Sequence, residues 1–266
     1  MCRHIAWVAA REVPLGELLV APEHGLYRQA WAPRRQRYGT VNADGFGVGW
    51  YAAGDPVPAR YRRAGPLWAD LSFTDLARVV RSRAVLAAVR DATAPGADAE
   101  AAAAPFASGP WLFSHNGAVG GWPGSLAAPA AGLPPEELLA MEARNDSALV
   151  WALLLHRLRR GEALARALAA TVREVAAAAP VSRLNLLVMD GSTIAASTWG
   201  DSLWYLAGSG RVVVASEPYD DRPGWCEVPD RTLLTATAAG VTSLSDLSEP
   251  AHVRRASADP LEESPA

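Results

Sequence analysis

The second residue of the chain, Cys2, is a candidate nucleophile. A cysteine thiolate attacks carbonyl carbon atoms readily, and a cysteine that becomes the first residue after loss of Met1 also carries a free α-amine. The ordinary pKa of such an amine is about 7.7–8.0, so it can accept the thiol proton near neutral pH and later pass it to a leaving amine. Because cysteine is small, we expect methionine aminopeptidase to remove Met1. The alternative is that Cys2 has no catalytic role, as is common for a cysteine at this position.

Asn116 and Gly117 are candidates for binding a negatively charged oxygen. An oxyanion needs preorganised hydrogen-bond donors. The side-chain amide of Asn116 and the main-chain N–H of Gly117 could supply two donors from one tight turn. The alternative is purely structural, because Asn-Gly between apolar residues, as in PWLFSHNGAV (110–119), is a preferred β-hairpin turn.

Two charged residues are candidate substrate ligands. Arg90 ends a predicted strand, where its guanidinium could hold a carboxylate through two hydrogen bonds; a surface or ion-paired arginine is the alternative. Asp146 begins a predicted helix and could bind an ammonium group. It could equally be an acid favoured by the helix dipole in the first turn, and the two roles are compatible.

Composition narrows the possible functions of the chain. A net charge of −3 over 266 residues gives no electrostatic reason to expect nucleic acid or an anionic membrane as a partner. All 25 basic residues are arginine, which excludes a Schiff-base lysine and a phosphate-loop lysine. The two cysteines, Cys2 and Cys226, make no disulfide framework, and no ligand spacing suggests a metal. With neither a signal peptide nor a run of about 18 apolar residues, the expectation is a cytoplasmic protein without a cofactor.

The chain must position these residues with strands at both ends and helices in the middle. Strands are predicted over 2–9, 46–52, 59–64, 84–90, 184–190, 192–198, 202–207, 211–217 and 231–237. Helices are predicted over 73–82, 135–143, 146–160 and 162–178, and long loops over 21–44, 91–109 and 120–135. This order is not an alternating βαβ pattern, so it favours antiparallel sheets packed with separate helix layers. One domain is expected over 2–245, followed by a flexible tail over 246–266.

Five segments occur in one order and together resemble the class II glutamine amidotransferase domain, which is an N-terminal-nucleophile hydrolase. They are Met-Cys-Arg-His at the start, NADGFGVGWY (42–51), VRDAT (89–93), FSHNGAV (113–119) and NDSALVWALLL (145–155). The resemblance covers about residues 2–237. It implies an α+β fold, a four-layer αββα sandwich of two antiparallel sheets between helix layers.

The same resemblance implies a role for each candidate residue. Cys2 would be the nucleophile, and Asn116 with Gly117 would form the oxyanion hole. Arg90 would hold the α-carboxylate of a glutamyl group and Asp146 its α-ammonium. Thr93, which lies in the arginine motif, would line the same pocket. No metal or organic cofactor is implied.

Within this family, the sequence resembles one group in particular, the γ-glutamyl hydrolases of ergothioneine biosynthesis. That similarity implies hydrolysis of γ-glutamyl-hercynylcysteine sulfoxide to glutamate and hercynylcysteine sulfoxide. The substrate carries a trimethylammonium group, which an aromatic face could bind; Trp31, Trp122 and Trp225 lie in predicted loops and are candidates. The alternatives are a glutamine amidotransferase subunit that supplies ammonia to a separate synthase, and an inactive binding protein of the same fold.

Overall fold

The computed structural model describes residues 2–92 and 100–248, which form two antiparallel sheets and several helices. One sheet has seven strands in the order β11-β9-β10-β1-β4-β2-β3. Its strands are β1 (Arg3–Pro14), β2 (Phe46–Trp50), β3 (Ala59–Arg63), β4 (Arg81–Val89), β9 (Trp204–Gly208), β10 (Arg211–Ala215) and β11 (Cys226–Glu227). The strand that follows Cys2 therefore lies at the centre of this sheet, between β10 and β4.

The second sheet has six strands in the order β13-β12-β8-β7-β6-β5. Its strands are β5 (Phe106–Ser108), β6 (Trp111–Ala118), β7 (Arg183–Met189), β8 (Thr193–Ser197), β12 (Thr232–Thr237) and β13 (Gly240–Asp246). The helices are α1 (Leu15–Leu19), α2 (Leu26–Gln29), α3 (Leu71–Val79), α4 (Ala127–Ala131), α5 (Pro135–Leu139), α6 (Asp146–Arg159) and α7 (Leu164–Ala178).

The alternation of side chains along the strands produces four layers. Ile5 and Trp7 of β1 pack with the helices α1 to α3, whereas Ala6 and Val8 of the same strand pack against the second sheet. The outer face of the second sheet is covered by α6 and α7, and α4 packs against these two helices. Successive side chains of a strand point to opposite faces, so each central strand contributes to two apolar layers. The αββα sandwich and the α+β class expected from the sequence are confirmed.

The predicted β-hairpin turn at Asn116-Gly117 is wrong, because both residues lie inside β6. Asn116 pairs with Asn185 and Gly117 with Leu184 in an unbroken antiparallel ladder with β7. The tertiary context overrides the local turn preference, since pairing with β7 continues through both residues to Ala118.

Other departures from the predicted elements concern segments with weak local signals. The helix expected over 73–82 is Leu71–Val79, and the strand that follows already begins at Arg81. The expected loops contain α2, β5 and α4. At the far end, β13 reaches Asp246 and Leu247 is buried, so packed structure continues past residue 245. Residues 249–266, which make up most of the expected tail, lie outside the described part.

Within the described residues, no helix combines the length and the apolar character that crossing a bilayer requires.

Candidate active site

A pocket of about 410 Å³ lies where the start of β1 meets the ends of β4 and β6 and the start of α6. Four of the six residues proposed from the sequence as catalytic or glutamyl-binding line it, namely Cys2, Arg90, Gly117 and Asp146. Asn116 lies directly beside this pocket and contacts Cys2. Thr93, the remaining predicted residue, lies outside the described residues. The fold therefore brings together groups that are separated by more than a hundred positions in the chain.

Cys2 is partly buried at the edge of the pocket. Burial raises the pKa of its thiol above the ordinary value, while the chain's terminal ammonium, the main-chain N–H of Asp91 and the charge of Arg90 act in the opposite direction. Because burial dominates, the thiol needs a neighbouring base to become a thiolate near neutral pH.

Asn116 is fully buried and connects to the nucleophile through its side chain. The main-chain nitrogen of Cys2 donates a hydrogen bond to Asn116 Oδ1 at 3.2 Å. On the other side, Asn116 Nδ2 donates to Ser216 Oγ at 3.4 Å. One of the two N–H groups on Nδ2 is thereby directed at Ser216, which leaves a second N–H to donate elsewhere.

Gly117 is required by its surroundings. A Cβ atom built at this position would overlap the Arg183 carbonyl oxygen and would lie 2.7 Å from His115 Nε2. The absence of a side chain lets β6 pass close to β7 while the main chain of Gly117 still faces the pocket.

Arg90 is fixed by the glycine-rich segment that the sequence analysis singled out. Its Nη1 donates to the Asp44 carbonyl oxygen at 3.1 Å, and the Asp44 N–H donates to the Arg90 carbonyl oxygen at 2.9 Å. The Asp44 carboxylate accepts the N–H of Ala92 at 2.8 Å. The role of NADGFG is therefore to hold the arginine loop, a function that the sequence pattern alone did not show.

Asp146 occupies the first turn of α6. Asn145 is the N-cap residue, and its side chain accepts the Ala148 N–H at 2.8 Å. The Asp146 carboxylate accepts the N–H groups of Val119 and Ser147, at 2.9 and 2.8 Å. These two hydrogen bonds fix the position of the carboxylate, and the bond to Val119 ties α6 to the chain just after β6.

His115 lines the pocket but is not among the candidate residues drawn from the sequence. Its Nε2 lies 2.9 Å from the Arg183 carbonyl oxygen, and its Nδ1 lies 3.0 Å from Ser147 Oγ. A carbonyl oxygen can only accept, so Nε2 donates to Arg183. Its position beside Asn116 in FSHNG was the available signal.

Of the three tryptophan candidates, Trp122 lines the pocket. Trp31 instead packs edge-on against Tyr27 and Trp68. Trp225 packs edge-on against Tyr219, and its Nε1 donates to Asp220 at 2.9 Å. Trp31 and Trp225 therefore have structural surroundings that do not include this pocket.

The geometry and the fold define a class of protein. The family model "Glutamine amidotransferases class-II" matches residues 26–210. The chain belongs to the class II glutamine amidotransferase family, and it is an enzyme with the N-terminal-nucleophile architecture of that family.

Two proteins similar to this chain are hydrolases that share one name. The chain is 45% identical over 241 residues to the gamma-glutamyl-hercynylcysteine sulfoxide hydrolase of Mycolicibacterium smegmatis, covering 91% of this chain and 98% of that one. It is 44% identical to the protein of the same name from Mycobacterium tuberculosis strain CDC 1551, covering 91% of this chain and 95% of that one.

A solved structure agrees with the fold. The class II domain protein from Silicibacter pomeroyi superposes with a TM-score of 0.63 at 26% identity, covering 92% of this chain and 99% of that one.

Proposed function

We propose that this enzyme hydrolyses the γ-glutamyl amide bond of γ-glutamyl-hercynylcysteine sulfoxide, releasing glutamate and hercynylcysteine sulfoxide. The observation that carries the proposal is the convergence of a thiol, a guanidinium and a carboxylate on one pocket, at Cys2, Arg90 and Asp146. These three groups complement the reacting carbonyl, the α-carboxylate and the α-ammonium of a glutamyl group. The similarity to the two mycobacterial hydrolases supports this choice of substrate.

The reaction begins with proton transfer within Cys2. After Met1 is removed, the nitrogen that now donates to Asn116 becomes an α-amine, and its lone pair accepts the thiol proton. The thiolate then attacks the γ-carbonyl carbon, and the carbonyl π electrons move to oxygen. The second N–H of Asn116 Nδ2 and the main-chain N–H of Gly117 stabilise this oxyanion.

The tetrahedral intermediate collapses by breaking the carbon–nitrogen bond. The α-ammonium of Cys2 gives its proton to the departing amine, which leaves the glutamyl group on sulfur as a thioester. The regenerated α-amine then takes a proton from water as the water attacks the thioester. Glutamate departs, and the thiol is restored by the proton that the amine had accepted.

Binding of the glutamyl head orients the γ-carbonyl group toward the Cys2 thiolate. In this proposal Arg90 binds the α-carboxylate, which the hydrogen bond from its guanidinium to the Asp44 carbonyl oxygen supports by restricting the side chain. Asp146 binds the α-ammonium, which is supported by the hydrogen bonds that its carboxylate accepts from Val119 and Ser147. Thr93 is proposed to line the same part of the pocket. The enzyme is further proposed to act in the cytoplasm, where a thiol nucleophile stays reduced.

The test compares the mature protein with the Cys2→Ala variant. Intact mass first establishes that Met1 is absent from both. Each is then mixed with γ-glutamyl-hercynylcysteine sulfoxide and, separately, with free glutamine, and glutamate release is followed by mass spectrometry. The proposal expects release from the sulfoxide by the wild type alone. Efficient release from glutamine combined with none from the sulfoxide would contradict it and would favour an ammonia-supplying subunit.

A further inference from the structure

Ser216 lies at the junction between the nucleophile strand and the oxyanion residue. It follows β10 directly and is fully buried. Its Oγ accepts the main-chain N–H of His4 at 3.0 Å, two residues from the nucleophile. The same oxygen accepts a hydrogen bond from Asn116 Nδ2 at 3.4 Å. One hydroxyl group therefore touches both β1 and β6, which belong to different sheets.

Ser216 is itself firmly held. Its main-chain N–H donates to the His4 carbonyl oxygen at 3.0 Å, which continues the pairing of β10 with β1. Its carbonyl oxygen accepts the Ser202 hydroxyl at 2.9 Å. The position of Oγ is thus set by main-chain contacts on both sides and does not depend on substrate.

The direction of the Asn116 amide follows from these contacts. An amide side chain has a donating end and an accepting end. Ser216 Oγ uses one lone pair for His4 and offers the other to Asn116 Nδ2. With the nitrogen end directed to Ser216, the oxygen end faces the Cys2 nitrogen.

This direction matters for the proposed chemistry. If the amide were reversed, its N–H would point at the Cys2 nitrogen. A neutral α-amine would then accept that N–H with the lone pair that must take the thiol proton. The reversed amide would also withdraw its remaining N–H from the place where the oxyanion forms.

We propose that Ser216 is a positioning residue for hydrolysis. It orients the Asn116 amide so that Oδ1 accepts a hydrogen bond from the α-amine of Cys2 and Nδ2 donates one to the oxyanion. This inference rests on the proposed use of Cys2 and Asn116. Ser216 is not among the residues that line the pocket, and it acts through Asn116.

The experiment compares Ser216→Ala with the matched variant Ser82→Ala. Ser82 is equally buried, and its Oγ lies 2.8 Å from both the Tyr51 and the Ala84 carbonyl oxygens, in a part of β4 remote from Cys2. Thermal unfolding of both variants measures the structural cost. Steady-state assays give kcat and KM, and the rate of Cys2 labelling by the glutamine mimic 6-diazo-5-oxo-norleucine gives a second measure.

For Ser216→Ala we expect kcat and the labelling rate to fall at least tenfold, with KM within about threefold of wild type. Ser216→Thr, which keeps the hydroxyl, should recover most of both rates. Ser82→Ala should keep both rates within threefold, whatever its loss in unfolding midpoint. If Ser216→Ala does not fold, Ser216→Cys carries the test, because a thiol is a weaker acceptor than a hydroxyl.

Three outcomes would overturn the inference: wild-type-like rates in Ser216→Ala, equal losses in Ser82→Ala, or no recovery in Ser216→Thr. Failure of the proposed substrate is distinguishable from these. In that case the wild type would not hydrolyse the sulfoxide but would still be labelled at Cys2, and the comparison of labelling rates would still decide the role of Ser216.

Discussion

The Cys2 nitrogen and Asn116 Oδ1 are joined by a hydrogen bond of 3.2 Å, although the two residues are 114 positions apart in the chain. The nitrogen proposed as the general base and the amide proposed to bind the oxyanion are therefore parts of one hydrogen-bonded unit. A change at Asn116 is expected to affect proton transfer and oxyanion binding together.

Replacing Asn116 by alanine should lower kcat by about 10²–10³, because removing one oxyanion donor has this effect in other hydrolases. KM should change little, since Asn116 is not expected to hold the glutamyl head. The measurement is steady-state hydrolysis with Met1 removal verified by mass.

The matched control for this variant is Asn185→Ala. Asn185 pairs with Asn116 across the sheet, but its Nδ2 donates to the carbonyl oxygens of Asp201 and Ser202. Asn185→Ala should lose stability and retain activity at a temperature where it is folded. A similar fall in kcat for both variants would argue that buried polar groups in this sheet matter only for folding.

Gly117→Ala should both destabilise the protein and abolish activity. The added methyl group would meet the Arg183 carbonyl oxygen and His115 Nε2, so the two strands would have to separate. Overpacking of this kind costs about 1–3 kcal/mol or more. Gly124→Ala is the control, because a Cβ there meets nothing within 4 Å. Chemical denaturation of both variants checks the prediction, and equal stability would contradict it.

Arg90→Lys should raise KM about tenfold or more, because lysine cannot reproduce two parallel hydrogen bonds to a carboxylate. The effect should disappear with a substrate analogue that lacks the α-carboxylate. Arg78→Lys, on an exposed part of α3, should behave as wild type with both substrates. An Arg90→Lys penalty of the same size for both substrates would show that Arg90 serves the structure of its loop and not the carboxylate.

Trp122→Leu should weaken discrimination in favour of the trimethylated substrate. Cation–π contact contributes about 0.5–2 kcal/mol, so kcat/KM for the trimethylated compound should fall about two- to thirtyfold relative to the compound without N-methyl groups. Trp225→Leu is the control, since Trp225 packs on Tyr219 away from the pocket. An unchanged ratio of the two kcat/KM values in Trp122→Leu would rule this contact out.

Acid should destabilise the fold through His4. Burial lowers the pKa of His4 well below its ordinary value of 6.5, and the charge of Arg3 and the neighbouring His115 act in the same direction. Above pH 6.5 His4 is neutral in both the folded and the unfolded state. Below that pH, His4 binds a proton in the unfolded state but stays neutral in the folded state. The free energy of unfolding should therefore fall by up to about 1.4 kcal/mol for each pH unit.

His4→Asn tests this cause, because asparagine retains a polar group near Ser114, the partner of His4 Nδ1, without titrating. Denaturant unfolding of wild type and variant between pH 5 and pH 8 should show a shallower pH dependence in the variant. Identical slopes below pH 6.5 would assign the acid sensitivity to other groups.

Much of this protein was determined by local sequence. The apolar periodicity of 146–160 predicted α6 (Asp146–Arg159), and strands β2, β7, β8, β10 and β12 lie where their apolar runs predicted them. The chemistry of single residues was also readable, because a thiol, a guanidinium and a carboxylate each limit what a site can bind. These properties depend on residue type and on neighbours within a few positions.

Only the tertiary structure decided how the groups meet. Asn116-Gly117 has the local preference of a turn, but pairing of both residues with β7 and the burial of Asn116 make it part of a strand. The roles of Asp44 and Ser216 were equally hidden, because their partners, Arg90 and Asn116, lie 46 and 100 positions away in the chain. The periodicity of a sequence shows which face of a helix or strand is apolar. Hydrogen-bond partners across two sheets depend instead on strand register and on the packing of the layers. Both arise only when the whole chain folds.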